Sequence, residues 1–102
     1  MFGKLGDMMG KLNEMKAKAE EVKRKLDDSI VEVDGAGGDI KIKLTGNRLI
    51  KEISITPSLQ HSDNSELVEQ LVVTLNKALE KANALNEKEM KEVAGSMLPG
   101  LM

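Results

Sequence analysis

The stretch that decides the fold is residues 31–57, VEVDGAGGDIKIKLTGNRLIKEISITP. At its centre Ile40, Ile42 and Leu44 alternate with Lys41, Lys43 and Thr45, the two-residue period of a strand with one buried face. Upstream, Val31 and Val33 flank Glu32 in the same rhythm. Gly35-Ala36-Gly37-Gly38 separates these runs with residues that can reach positive φ. Downstream, Gly46-Asn47 supplies a second turn. Leu49, Ile53 and Ile55 then read as the inward set of a third strand, with Glu52 and Ser54 outward and Pro57 closing the run. Residues 29–57 are therefore expected to form a three-stranded antiparallel meander with one solvated face.

Helices flank this sheet. In residues 1–28, Leu5, Met8, Leu12, Met15, Ala19, Val22 and Leu26 follow alternating gaps of three and four, a continuous heptad seam. Asp27, Asp28 and Ser29 break it, because their side chains compete for backbone hydrogen bonds. Residues 58–65 form a polar connection, and Asp63 followed by Glu66 resembles a capping box. Leu67, Val68, Leu71, Val72, Leu75, Ala78, Leu79, Ala82 and Leu85 give a broad apolar stripe suited to packing on a sheet. This predicts a long helix over residues 66–95 with Gly95 as its C-cap, followed by an apolar tail, residues 96–102. The fold class is α+β, one domain of 102 residues: helix, meander, long helix.

Composition argues for a second copy. With one Phe and no Trp or Tyr, the core depends on Leu, Ile, Val, Ala and Met. At the helical rise the first helix spans about 33 Å and the second up to about 45 Å. A seven-residue strand covers only about 23 Å. The helices overhang the sheet, so a dimer with projecting helical arms is expected. The absence of cysteine excludes disulfides and thiolate metal sites. The N-terminal segment lacks the apolar core of a signal peptide, and no apolar run reaches the ~18 residues that span a bilayer. The expectation is a soluble cytoplasmic protein without a membrane partner.

The net charge of −2 conceals a sorting of charge. With Leu5, Leu12, Ala19 and Leu26 at heptad position a, position g is Lys4, Lys11, Lys18 and Lys25, and position e after Met9 is Lys16 and Lys23. Glu14, Glu20, Glu21 and Asp27 lie off the seam. Self-pairing of this helix, parallel or antiparallel, would set Lys against Lys. Three arrangements remain for the basic edges: against the acid-bearing second helix, in solvent, or against a polyanion such as a phosphate backbone.

Other signals are weak. His61, Ser62 and Asp63 are sequence neighbours and cannot converge as a catalytic triad. One His and no Cys leave only carboxylates as metal ligands, without the spacing of a calcium loop, and the Gly35–Gly38 turn joins two strands without the Lys-Ser/Thr of a phosphate loop. No enzyme activity, cofactor or small-molecule substrate is expected.

Read end to end, the chain resembles the YbaB/EbfC family of bacterial nucleoid-associated proteins. The resemblance is carried by Met1-Phe2-Gly3-Lys4 and the Met-rich first helix, by Gly35-Ala36-Gly37-Gly38 before the Ile40/Ile42/Leu44 strand and Gly46, and by Ile55-Thr56-Pro57-Ser58-Leu59. Leu75-Asn76-Lys77-Ala78 and Gly95-Ser96-Met97-Leu98-Pro99-Gly100-Leu101 continue it. Thr56 departs from the acidic residue common before the proline, and Arg48 from the small turn residue frequent there. The resemblance implies a homodimer joined through its sheets, with tweezer-like arms that bind, bend or compact DNA in the nucleoid. On that reading Ile40, Ile42, Leu44, Ile53 and Ile55 form the dimer interface. The resemblance transfers no DNA contact residue by residue; from the charge sorting of the first helix, Lys4, Lys11, Lys16, Lys18, Lys23 and Lys25 are expected to contact the duplex backbone. The alternative is an adaptor whose arms clasp a partner protein.

Overall fold

The computed structural model describes the backbone of residues 2–97 and the side chains of residues 7–95. Lys4, Leu5 and the tail beyond Met97 fall outside the described residues or side chains. The chain is helix α1 (Phe2–Asp28), strands β1 (Ile30–Gly35), β2 (Ile40–Thr45) and β3 (Ile50–Ile55), a one-turn helix α2 (Pro57–Gln60), and helix α3 (Asn64–Met97). The sheet is an antiparallel meander in the order β1-β2-β3.

Alternation places the core. Val31 and Val33 of β1 pair with Leu44 and Ile42 of β2, so their side chains share one face. That face is buried with Ile40, Leu59 and the α3 residues Ala78 and Ala82, while Leu67, Leu71, Leu75 and Leu85 pack around it. Small side chains at Ala78 and Ala82 let α3 lie close over β1 and β2. Gly35 is required for the same closeness: a Cβ there would collide with the Thr74 side chain.

Three local departures from the sequence pattern have physical causes. Strand β3 carries a bulge. Opposite Lys43–Leu44 the register shifts, so Ile50, not Leu49, pairs with Leu44 on the core side, and Leu49 is exposed. The polar connection contains α2, started by Pro57 at a first-turn position where its missing N–H costs nothing. Finally, α3 continues through Gly95 to Met97, so Gly95 does not terminate it. At its other end the Asp63 carboxylate accepts the Ser65 backbone N–H at 3.2 Å, an N-cap one turn ahead of the apolar stripe.

The two sheet edges differ. On β1, Lys81 donates to the Glu32 carbonyl at 3.0 Å and Lys77 to the Asp34 carbonyl at 3.2 Å, which caps the outer backbone of that strand. β3 is the opposite edge. The α3 flank on that side carries Val68, Val72 and Leu79, all exposed, beside the half-covered Ile50 and Ile53. The helices outrun the sheet, giving extents of 71 × 23 × 17 Å.

Candidate nucleic-acid interface

Among the described residues, the first helix is gripped at its C-terminal end. Val22 and Leu26 are buried there. The turn after β2 holds the backbone: Gly46 N–H donates to the Leu26 carbonyl at 3.0 Å, and a Cβ at Gly46 would strike the Leu26 side chain at 2.7 Å. Asn47 donates through Nδ2 to the Lys23 carbonyl at 3.0 Å and the Asp27 carboxylate at 2.6 Å. Asn86 of α3 in turn donates to Asn47 Oδ1 at 3.2 Å. One β-turn thus couples sheet, α1 and α3 and sets the direction of the arm.

Along α1 the sequence-predicted lysines divide. Lys25 donates to Glu89 Oε2 at 3.0 Å, and this hydrogen bond with the carboxylate's charge raises the Lys25 pKa above 10.5. Lys18 is half-buried and shares with Lys25 a cleft of about 280 Å³ that is also lined by Glu21, Glu89 and Glu92. Three carboxylates against two ammonium groups make that cleft unsuited to a polyanion. Lys11, Lys16 and Lys23 are exposed and, among the described residues, form no ion pair. Of the three arrangements open from sequence, the inner end of the lysine row takes the first, against the acidic second helix, and the outer part lies in solvent.

A cation the sequence reading left out stands nearby. Exposed Arg48 shares a second cleft with Lys23, Asn47, Asn86 and Met90, and its Nη1 donates to Asn83 at 2.7 Å. Its φ of 69° is left-handed, where a bulky side chain is disfavoured. No periodicity links Arg48 to the helix, so only the turn geometry reveals the juxtaposition. The solvated sheet face is a poor alternative, because Lys43 lies 3.6 Å from both Glu32 and Glu52.

The expected sheet interface needs correction. Ile40, Ile42 and Leu44 are 0% exposed within the single chain, covered by its own α3, and cannot face a partner in this fold. Ile55 is half-buried, and Ile53 remains 42% exposed. His61, Ser62 and Asp63 serve local structure: His61 is exposed at the end of α2, the Ser62 hydroxyl donates to the Leu59 carbonyl, and Asp63 caps α3. Among the described residues no group of three acidic or His side chains is placed to hold a metal ion, and no helix is long and apolar enough to cross a membrane.

The profile of the YbaB/EbfC DNA-binding family matches residues 1–97. The chain belongs to that family. A relative named nucleoid-associated protein, from Flavobacterium johnsoniae, is 45% identical over 74% of this chain and 71% of its own length. Another so named, from Chlorobaculum parvum, is 36% identical over 91% of this chain and 83% of its own. The crystal structure of an uncharacterized protein from Helicobacter pylori shares the fold with a TM-score of 0.64 and 25% identity, covering 85% of this chain and 98% of that one. The fold here is α+β, as the sequence pattern predicts, with α1 and α3 running out beyond the sheet.

Proposed function

We propose that this protein is a dimeric nucleoid-associated DNA-binding protein that grips duplex DNA through its phosphate backbone and bends or compacts it. The observation that carries this reading is that Lys11, Lys16 and Lys23 of α1 are exposed and, among the described residues, form no ion pair, in a chain of a DNA-binding family. Side chains of this kind recognise phosphate without reading bases, so affinity is salt-sensitive and weakly selective for sequence. Lys25 contributes less than its heptad position suggests, because Glu89 already holds it. Lys4 extends the same row in sequence.

The second copy is assigned to the β3 side. Ile50 and Ile53 with Val68, Val72 and Leu79 offer an exposed apolar surface beside an edge strand, while the β1 edge is capped by Lys77 and Lys81. Two-fold pairing through this patch presents two arms to one duplex. The deciding experiment is a salt-titrated binding assay of the purified protein on duplexes of unrelated sequence. A steep fall in affinity with salt, similar for every duplex, is expected. Salt-independent binding, or no binding at low salt, overturns the reading.

A further inference from the structure

Among the described residues, α3 covers only the inner half of the α1 seam. Descending residue numbers on α1 meet ascending ones on α3: Lys25 bonds Glu89, and Lys18 and Val22 line one cleft with Glu92 and Val93. The two helices are therefore antiparallel, and α3 is described as far as Met97. From Val22 to Met8 the arm runs about 21 Å, whereas from Val93 to Met97 α3 advances about 6 Å. Past that point Met15, Leu12 and Met8 continue the stripe begun by Leu26 and Val22, yet they are 43%, 56% and 63% exposed. Lys11 stands beside them at the heptad position that Lys18 and Lys25 occupy further in.

The covered half displays the chemistry that fits the uncovered half. Where α3 lies on this seam, it brings Val93 to the apolar stripe and Glu89 and Glu92 to the lysines. The geometry points to the Met8–Met15 face of α1 as a docking site for an acidic amphipathic helix of a partner protein, lying antiparallel to α1 in line with α3. A second copy of α1 fits badly, since its own seam is also edged by lysines. Residues 98–102, Leu-Pro-Gly-Leu-Met, offer no acidic side chain. Methionine suits such a surface, because its flexible thioether adapts to different apolar partners.

The test uses the full chain and a synthetic acidic peptide, about three heptads long, with Leu at the seam and Glu on both flanks. A twin peptide carries Lys in place of every Glu. In fluorescence anisotropy the acidic peptide is expected to bind at least about tenfold more tightly than its twin. The combined variant Met8→Ser, Leu12→Ser, Met15→Ser loses that binding by a similar factor, with unchanged circular dichroism. Because it retains Lys11, Lys16 and Lys23, it still binds DNA, so failure of this inference and failure of the DNA reading are distinguishable. Equal binding of both peptides, or undiminished binding by the variant, overturns the proposal. Failure of the peptide beside capture of anionic phospholipid vesicles overturns it in favour of a membrane surface. Peroxide oxidation of Met8 and Met15 no faster in the free protein than in the peptide mixture means the face is already covered, and also overturns it.

Discussion

Lys25 on α1 and Glu89 on α3 meet at 3.0 Å, with the ammonium side chain 60% exposed and the carboxylate side chain only 13%. The asymmetry matters. Glu89 is fixed in the inter-helix cleft, whereas Lys25 reaches in from solvent and could turn toward another anion. The contact ties the base of the arm to the long helix and at the same time withdraws one cation from the basic row. Glu89→Gln removes the charge while keeping the side chain's size. DNA affinity at low salt should rise, and the slope of log affinity against log salt should steepen by about one, the signature of one extra phosphate contact. An unchanged slope in a salt-titrated binding series means that Lys25 has no access to DNA.

The same pair gives a pH dependence whose sign is fixed. Glu89 raises the Lys25 pKa above its ordinary 10.5, so the clasp's contribution to stability is fully present below 10.5 and is lost as pH rises through the raised folded value. Thermal melting of the wild type and of Lys25→Met should therefore differ at neutral pH and converge in strong alkali. A difference that persists there would assign the stabilisation to packing of the lysine stem.

Charge on the outer arm is the direct test of the proposed interface. Replacing Lys11, Lys16 and Lys23 together by Gln leaves the core untouched, since all three are exposed and helix-compatible. Binding to duplex DNA should weaken strongly and the salt slope should fall by about two to three. Arg48→Gln, at the cleft shared with Lys23, should add a smaller loss. Retained affinity and slope in the triple variant would move the contact surface elsewhere.

Association through the β3 side keeps Ile53 of the sheet interface expected from sequence and adds the exposed α3 residue Val72 to it. Ile53→Asp with Val72→Asp places charge in the exposed apolar patch and should weaken the dimer by about a hundredfold or more in sedimentation equilibrium. Ser54→Asp, on the solvated face of the same strand, should leave association unchanged. A dimer insensitive to the first pair and broken by the second would reverse the assignment.

Much of this architecture is legible in the chain, and what is not has identifiable reasons. The Val31/Val33 and Ile40/Ile42/Leu44 alternation gives the buried face directly, because a strand's period leaves no freedom about which side chains share a face. The same pattern cannot say what covers that face. Ile40, Ile42 and Leu44 therefore read equally well as core or as interface, and only the path of α3 over them assigns them to the core. The bulge in β3 escapes sequence reading because one extra residue moves the inward position from Leu49 to Ile50 without altering composition. In the basic row, heptad spacing lists the lysines as equivalent. Glu89 lies 64 residues from Lys25 along the chain, so a long-range contact divides them that no local pattern encodes. Arg48 is missed for the complementary reason, since its position depends on a single left-handed turn residue.

The closest approach of α3 to the sheet can be tested by a mutant cycle. A Cβ at Gly35 would overlap the Thr74 side chain. Gly35→Ala should therefore destabilise the fold by about 1–3 kcal/mol, the usual range for overpacking. Thr74 is 1% exposed, and its hydroxyl donates only to the Gln70 carbonyl of its own helix at 2.7 Å, a bond the helix can do without. Thr74→Ala alone should cost less than Gly35→Ala, and when the two are combined it should remove the overlap with Oγ1 and Cγ2 while leaving the tight contact with the Thr74 Cβ position. The double variant is expected to be more stable than Gly35→Ala, giving a coupling of about 1 kcal/mol in urea denaturation. Strictly additive effects would show that α3 does not rest on Gly35. The seat from which both arms project would then need to be placed elsewhere along β1.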